Sequence, residues 1–277
     1  MKPLFGKKIT LMRFFAVILC AFSALVVIYF LFYPSERTEW IMPDELNEIS
    51  GISFINDHSL ACVQDEKGII FIYDLERGSV TKRVKFSGKG DYEGIAIKGQ
   101  TAYVVSGDGW LYEIDNFLSE PVVNEYDLGL TKNQESEALC YDHPGDRLLL
   151  AFKNSNRKNV TPAIYEFNLH DKKLVPEPVI SVNLESAPVK KKNLDNSGKL
   201  WQPADLTMDQ SGRLYIIDAM NEHLLELDKS GELKNLIQTD HRRTDHPEGI
   251  AINSKGIIYI CNDANKGGKG KIVKLDN

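Results

Sequence analysis

Cysteine is scarce in this chain: there are four among 277 residues, and no two form a CxxC pair. Cys62, Cys140 and Cys261 each sit inside an apolar, strand-like stretch and read as small buried hydrophobes. Three is also an odd number, so no disulfide framework follows. Cys20 stands inside a long apolar run, after Leu19, where a lipoprotein site needs a small residue. The six histidines are scattered, with no HExxH and no Cys/His spacing, which removes the common zinc patterns. A GxSxG elbow, a phosphate-cradling glycine loop and a dinucleotide fingerprint are missing too, so serine-hydrolase and nucleotide chemistry have no motif to rest on. Positive charge is also short. Beyond residue 33 the chain holds 29 Lys and Arg against 39 Asp and Glu, a net charge of −10. Phosphate backbones are bound by clustered bases, so a nucleic-acid partner is excluded. The one basic run, Lys190-Lys191-Lys192, reads as a solvated loop.

Charge of either sign is absent from Phe14 to Tyr33. As a helix rising about 1.5 Å per residue, this run would cross a hydrocarbon core of about 30 Å. A cleaved secretory signal is the alternative, but its apolar region spans about 7–15 residues and ends in small side chains. Here the run ends Ile28-Tyr29-Phe30-Leu31-Phe32-Tyr33-Pro34. The reading is an uncleaved transmembrane signal anchor over 14–33. It follows a basic cytoplasmic tail, 1–13, that carries Lys2, Lys7, Lys8 and Arg13. This orientation places a single-pass protein in the inner (plasma) membrane, with residues 34–277 facing the periplasm or the exterior.

What the chain does have is repetition. Ser50-Gly51-Ile52-Ser53, Glu93-Gly94-Ile95-Ala96, Glu137-Ala138-Leu139-Cys140, Ala204-Asp205-Leu206-Thr207 and Glu248-Gly249-Ile250-Ala251 begin 43, 44, 67 and 44 positions apart. Each phrase alternates apolar and polar residues as a half-buried strand does, then meets a turn rich in Gly, Asn or Asp and a second strand. A third strand closes on a similar ending, as in Ile70–Asp74, Leu111–Asp115 and Leu224–Asp228. A fourth follows at Val80–Phe86, Val122–Tyr126, Val179–Leu184 and Leu233–Gln238. Four antiparallel strands per repeat of this length is the blade of an all-β, five-bladed β-propeller. The fifth unit ends without its fourth strand, and Thr38–Met42 is expected to supply it and close the ring. The third unit is longer by 23 residues, with the excess in loops over 154–161 and 185–200.

In a propeller the first strand of each blade lines the central channel, so residues at one register form a ring around the axis. Glu93, Glu137 and Glu248 share that register. Glu48 lies two residues before Ser50, on the same side of a strand, while Asp205 falls one residue past the register position held by Ala204. Glu48, Glu93, Glu137, Asp205 and Glu248 are therefore the candidate metal ligands. Carboxylates converging in a confined channel cannot all stay charged and unpaired: some are protonated, or bases pair with them, or a cation sits among them. Oxygen donors alone suit a hard ion such as calcium. The plainer alternative is that each glutamate only accepts backbone N–H bonds from the neighbouring blade. Gln64, Ser106, Asn154, Asp218 and Asn262, at the ends of the second strands, lie near the same mouth and can complete a shell. His241 and His246 flank Arg242-Arg243 and are placed to reach it.

The segments Glu48–Ile52, Tyr92–Ala96, Glu135–Leu139 and Pro247–Ala251 resemble the SdiA-regulated bacterial propellers, relatives of the NHL-repeat propellers, and the apolar N-terminal run fits as well. The resemblance covers about 38–277. It implies a five-bladed propeller beyond the inner membrane with a bound calcium and no established activity. It carries Glu48, Glu93, Glu137 and Glu248 over as ligands, while Ala204-Asp205 departs from the Glu-Gly pattern and leaves Asp205 open. Two functions remain. One is a monomeric, membrane-anchored module that binds an envelope protein or ligand. The other is a calcium-dependent hydrolase of lactones or esters, similar to gluconolactonase and paraoxonase, for which Glu48, Asn154, Asp205 and Asn262 would supply the ligand mixture.

Overall fold

The computed structural model describes residues 37–154, 162–183, 202–219, 223–239, 242–264 and 268–275. The expected anchor over 14–33 lies outside the described residues, as do the basic run 190–192 and His241. Among the described residues no helix is long and apolar enough to cross a membrane. Apart from a single 3-10 turn at Asp44–Leu46, the regular elements described are strands.

They form five antiparallel sheets. Blade I runs Ile49–Asn56, Ser59–Gln64, Lys67–Asp74 and Ser79–Lys89. Blade II runs Tyr92–Lys98, Thr101–Ser106, Trp110–Asp115 and Val122–Asp127. Blade III begins Gln134–Asp142, Arg147–Asn154 and Ala163–Asn168. Blade IV runs Pro203–Met208, Leu214–Asp218, His223–Leu227 and Leu233–Gln238. Blade V has Pro247–Ile252, Ile258–Asn262 and Lys271–Lys274, and its outer strand is the N-terminal Glu39–Ile41. Trp40 pairs with Ile272 in register, so the ring closes as expected. The Trp40 indole N–H also donates to the Leu75 carbonyl at 2.7 Å, fastening the closing strand to blade I.

One expected strand differs. In place of a continuous run over 179–184, blade III carries two short pieces, Lys173–Leu174 and Ile180–Ser181, both paired with Ala163–Asn168. Pro176 and Pro178 lie between them and have no N–H to give a ladder, which breaks the edge strand.

The core is a set of wedges between blades. In the second strand of blade III, Leu148 and Leu150 pack toward blade II while Leu149 and Ala151 pack toward blade IV. This two-sided burial explains why the second strands read as unbroken apolar runs, not as alternating ones. Cys62 and Cys261 face each other's blades in the wedge between blades I and V, and Cys140 lies in the wedge between III and IV. All three are free thiols, and burial pushes their pKa values up, which makes them packing residues.

Along the axis, the residues two positions into each phrase are Ile52, Ile95, Leu139, Leu206 and Ile250, each at most 2% exposed. They plug the channel. Two positions further, half-buried Phe54, Ile97, Tyr141, Met208 and Ile252 line a cavity of about 130 Å³ on the far side of that plug. The acidic end is therefore a blind well, closed at its floor by aliphatic side chains.

Candidate functional site

The register of every inner strand slips at the same point. The pairing of first to second strand breaks between Ile49 and Gly51, Tyr92 and Gly94, Ser136 and Ala138, Pro203 and Asp205, and Pro247 and Gly249. The residue left without a partner is Ser50, Glu93, Glu137, Ala204 or Glu248, the first of each phrase. A β-bulge re-aims a side chain and bends its strand, and here five bulges form a ring at one mouth. Above them the backbone closes again: the N–H groups of Asp65, Gly107, Ala219 and Asp263 donate to the carbonyls of Glu48, Asp91, Gln202 and His246. Glu48 thus belongs to a second, outer ring with Asp91, Gln202 and His246, to which Glu135 corresponds in blade III.

The Gly after the bulge in blades I, II and V has a steric cause. A Cβ on Gly51 would stand 2.7 Å from the Glu93 carbonyl oxygen, and one on Gly94 would stand 2.9 Å from the Leu139 nitrogen. Inner strands touch backbone to backbone there, which only glycine allows. Blade IV has Asp205 at this position, and it is 1% exposed. One of its carboxylate oxygens accepts the N–H of Leu206 at 2.8 Å and of Leu139 at 3.4 Å; the other accepts the N–H of Ile250 at 3.0 Å. Asp205 therefore ties blades III, IV and V together through their backbones. Burial pushes its pKa well up, against the pull of those three N–H groups.

The three bulge glutamates are brought together, and among the described residues no backbone N–H donates to them. Glu93 is pushed up to about 9, by burial first and then by the charges of Glu137, Asp91 and Glu248. Glu248 is pushed up to about 8, by burial, Asp263 and Glu137. Glu137 is pushed up to about 7, where burial outweighs the Lys153 ammonium 3.2 Å away. Lys153 loses its usual hydration too, but Glu137, Glu135 and Glu93 outweigh that and hold its pKa above the ordinary lysine range. Asp65 rises to about 6 through burial and then Glu48. Asp263 rises through burial, with His246 opposing. Buried oxygens of Asn47, Asp65 and Asp263 have no hydrogen-bond partner, nor do the polar side-chain atoms of the fully buried Asn262. Glu48, in the outer ring, is exposed.

Sequence reasoning missed Asp65, Asp91, Lys153 and Asp263. Asp91 and Glu135 were detectable, because they stand two residues before their phrases as Glu48 does. Asp65 and Asp263 follow the second-strand residues Gln64 and Asn262 directly. Of those second-strand ends, Gln64 serves its own hairpin by accepting the Lys67 N–H. Ser106 does likewise, accepting the N–H of Trp110 at 3.2 Å.

Residues 39–266 match the sequence profile of the SdiA-regulated family. No curated protein matches the chain. Several solved structures share its fold. Myxococcus xanthus glutaminyl cyclase is 15% identical with a TM-score of 0.60, over 87% of this chain and 96% of that one. A luciferin-regenerating enzyme is 11% identical with a TM-score of 0.54, over 88% and 94%. A Bacteroides thetaiotaomicron protein of unknown function is 16% identical with a TM-score of 0.53, over 82% and 56%.

Proposed function

The chain belongs to the SdiA-regulated family, and from that premise we propose that it is a membrane-anchored propeller that holds calcium in its acidic well and binds an envelope ligand or protein on that face. The observation that carries this reading is the shortage of positive charge in the well among the described residues. Burial raises the pKa values of Glu93, Glu137 and Glu248, neighbouring carboxylates add to each shift, and Lys153 is the cation that opposes it in all three. Buried carboxylates without N–H donors are costly when charged, so the well favours a cation. Its donors are oxygens, with unsatisfied ones on Asp65 and Asp263, which fits a hard ion. Glu48, Glu93, Glu137 and Glu248 would hold it, with Asp65 and Asp263 beside them; Asp205 has both oxygens engaged elsewhere. A bound ion would supply charge neutralisation and link blades I, II, III and V.

The test is metal analysis of the purified chain together with its melting temperature in calcium and in chelator. One equivalent of calcium and a higher melting temperature with it are expected, because an ion that binds only the folded state stabilises by mass action. Identical curves, with no retained metal, would sink the reading.

A second reading, a calcium-dependent lactone or ester hydrolase, is favoured by one observation. The Glu137 carboxyl, near 7 and paired to Lys153, is able to exchange protons at neutral pH. Turnover of a lactone and aryl-ester panel that is lost in chelator and in Glu137→Gln would favour the enzyme.

A further inference from the structure

We propose that His246, Glu248 and Asp263 form a site for a divalent transition ion, of the class of Zn²⁺, Co²⁺ or Mn²⁺, on the blade V side of the well. It goes beyond the calcium reading, with which it shares Glu248 and the neighbouring Asp263, by adding the His246 imidazole as a nitrogen donor. One ligand atom from each of the three side chains lies within 4.8 Å of the others. The imidazole Nδ1 stands 3.9 Å from an Asp263 carboxylate oxygen, too far for a hydrogen bond. With metal–ligand bonds of about 2.1 Å, neighbouring ligand atoms sit roughly 3.0–3.4 Å apart, so a small inward movement closes the set on an ion.

The chemistry of the set differs from that of the rest of the well. Calcium takes oxygen, whereas an imidazole nitrogen beside two carboxylates moves preference toward borderline first-row ions. The set is also held in place from behind. Asp245 is paired with Lys271 at 3.0 Å, and Arg243 donates to the Lys274 carbonyl at 3.0 Å. The Asp263 N–H donates to the His246 carbonyl at 3.3 Å. Asn262, the residue before Asp263, pairs in register with Pro247, which stands between His246 and Glu248. Asn262 is 0% exposed, yet neither its amide oxygen nor its nitrogen is hydrogen-bonded. An Asp263 oxygen is likewise buried and unpartnered. Polar atoms buried without partners are costly, and one of them, on Asp263, belongs to the ligating set itself. His246 itself is exposed, which leaves the solvent side of the ion open to water or to a ligand.

The experiment titrates the untagged full-length chain, purified in detergent, with Co²⁺ and then Zn²⁺ in the presence of millimolar calcium. Binding is read by calorimetry and by the visible absorption of Co²⁺. One equivalent is expected to bind, with a spectrum that signals a nitrogen ligand. His246→Ala, at an exposed position that the fold does not need, should weaken it by roughly tenfold or more, while Glu93→Gln should leave it within about threefold. Absence of Co²⁺ binding by the native chain would overturn the proposal, and so would unchanged binding by His246→Ala. Calcium-dependent stabilisation that survives His246→Ala while Co²⁺ binding is lost would support two distinct ion preferences. Co²⁺ binding without any calcium effect would support this site and defeat the calcium reading alone.

Discussion

Four carboxylates at the hub of this propeller arise at almost the same point of an inner strand, yet they meet opposite circumstances. Asp205, one residue past its bulge, is more deeply buried than any of the three glutamates, but three backbone N–H groups from three blades converge on it. Glu93, Glu137 and Glu248 sit at the bulge itself, where other carboxylates surround them and, among the described residues, Lys153 opposes their charge. A shift of one residue thus separates an acid that serves the fold from acids that the fold does not need. Buried charge with fixed donors is structural; buried charge without them is relieved by a proton, by a neighbouring base or by a bound cation.

The sharpest way to break this comparison is Asp205→Ala. It strips three buried N–H groups of their acceptor, at about 1–3 kcal/mol each when unsatisfied. The melting temperature should fall by on the order of 10 °C, with Asp205→Asn in between. A change of under about 2 °C would remove the structural half of the contrast. Next, Glu93→Gln and Glu137→Gln should act in the opposite direction. In chelator at pH 8 each is expected to raise the melting temperature by about 3–6 °C by relieving like-charge crowding, and each should abolish stabilisation by calcium. A fall on both substitutions would show the glutamates to be structural too.

The pH dependence follows with a definite sign. The folded-state pKa values of Glu137, Glu248 and Glu93 lie near 7, 8 and 9, above the ordinary glutamate value of 4.5. Between about pH 4.5 and pH 9 the folded chain therefore holds more protons than the unfolded one, and stability falls as pH rises. In chelator the melting temperature should drop by on the order of 5 °C from pH 5 to pH 9, with the slope shallower in saturating calcium and in the Gln variants. A flat profile would deny that these acids resist ionisation. The smallest effect is expected from Lys153→Met. Removing the well's internal cation should tighten calcium about three- to tenfold, read by calorimetry; weaker binding would make Lys153 part of the ligand-holding apparatus.

The wheel itself was written plainly in the repeats, including the closing strand around Trp40, because each blade must bury the same two faces. The glutamate ring was legible for the same reason. The bulge was not, since one unpaired residue leaves no mark on an apolar–polar alternation that resumes at once. Asp205 reads in the sequence as a damaged copy of Glu-Gly, when it fills the space a glycine leaves and satisfies the N–H groups around it. Asp65, Asp263 and Lys153 come from second strands, whose apolar runs draw attention away from the residues that cap them. The split outer edge of blade III was foreshadowed by Pro176 and Pro178.

The shared blade has a consequence for how the protein is made. The strand Glu39–Ile41 leaves the ribosome long before its hydrogen-bonding partner, Lys271–Lys274. The circle can be completed only once Lys271–Lys274 has been made, and until then Trp40 lacks the strand it pairs with. Loss of Lys271–Lys274 alone would leave the closing strand without a partner and the ring without its lock.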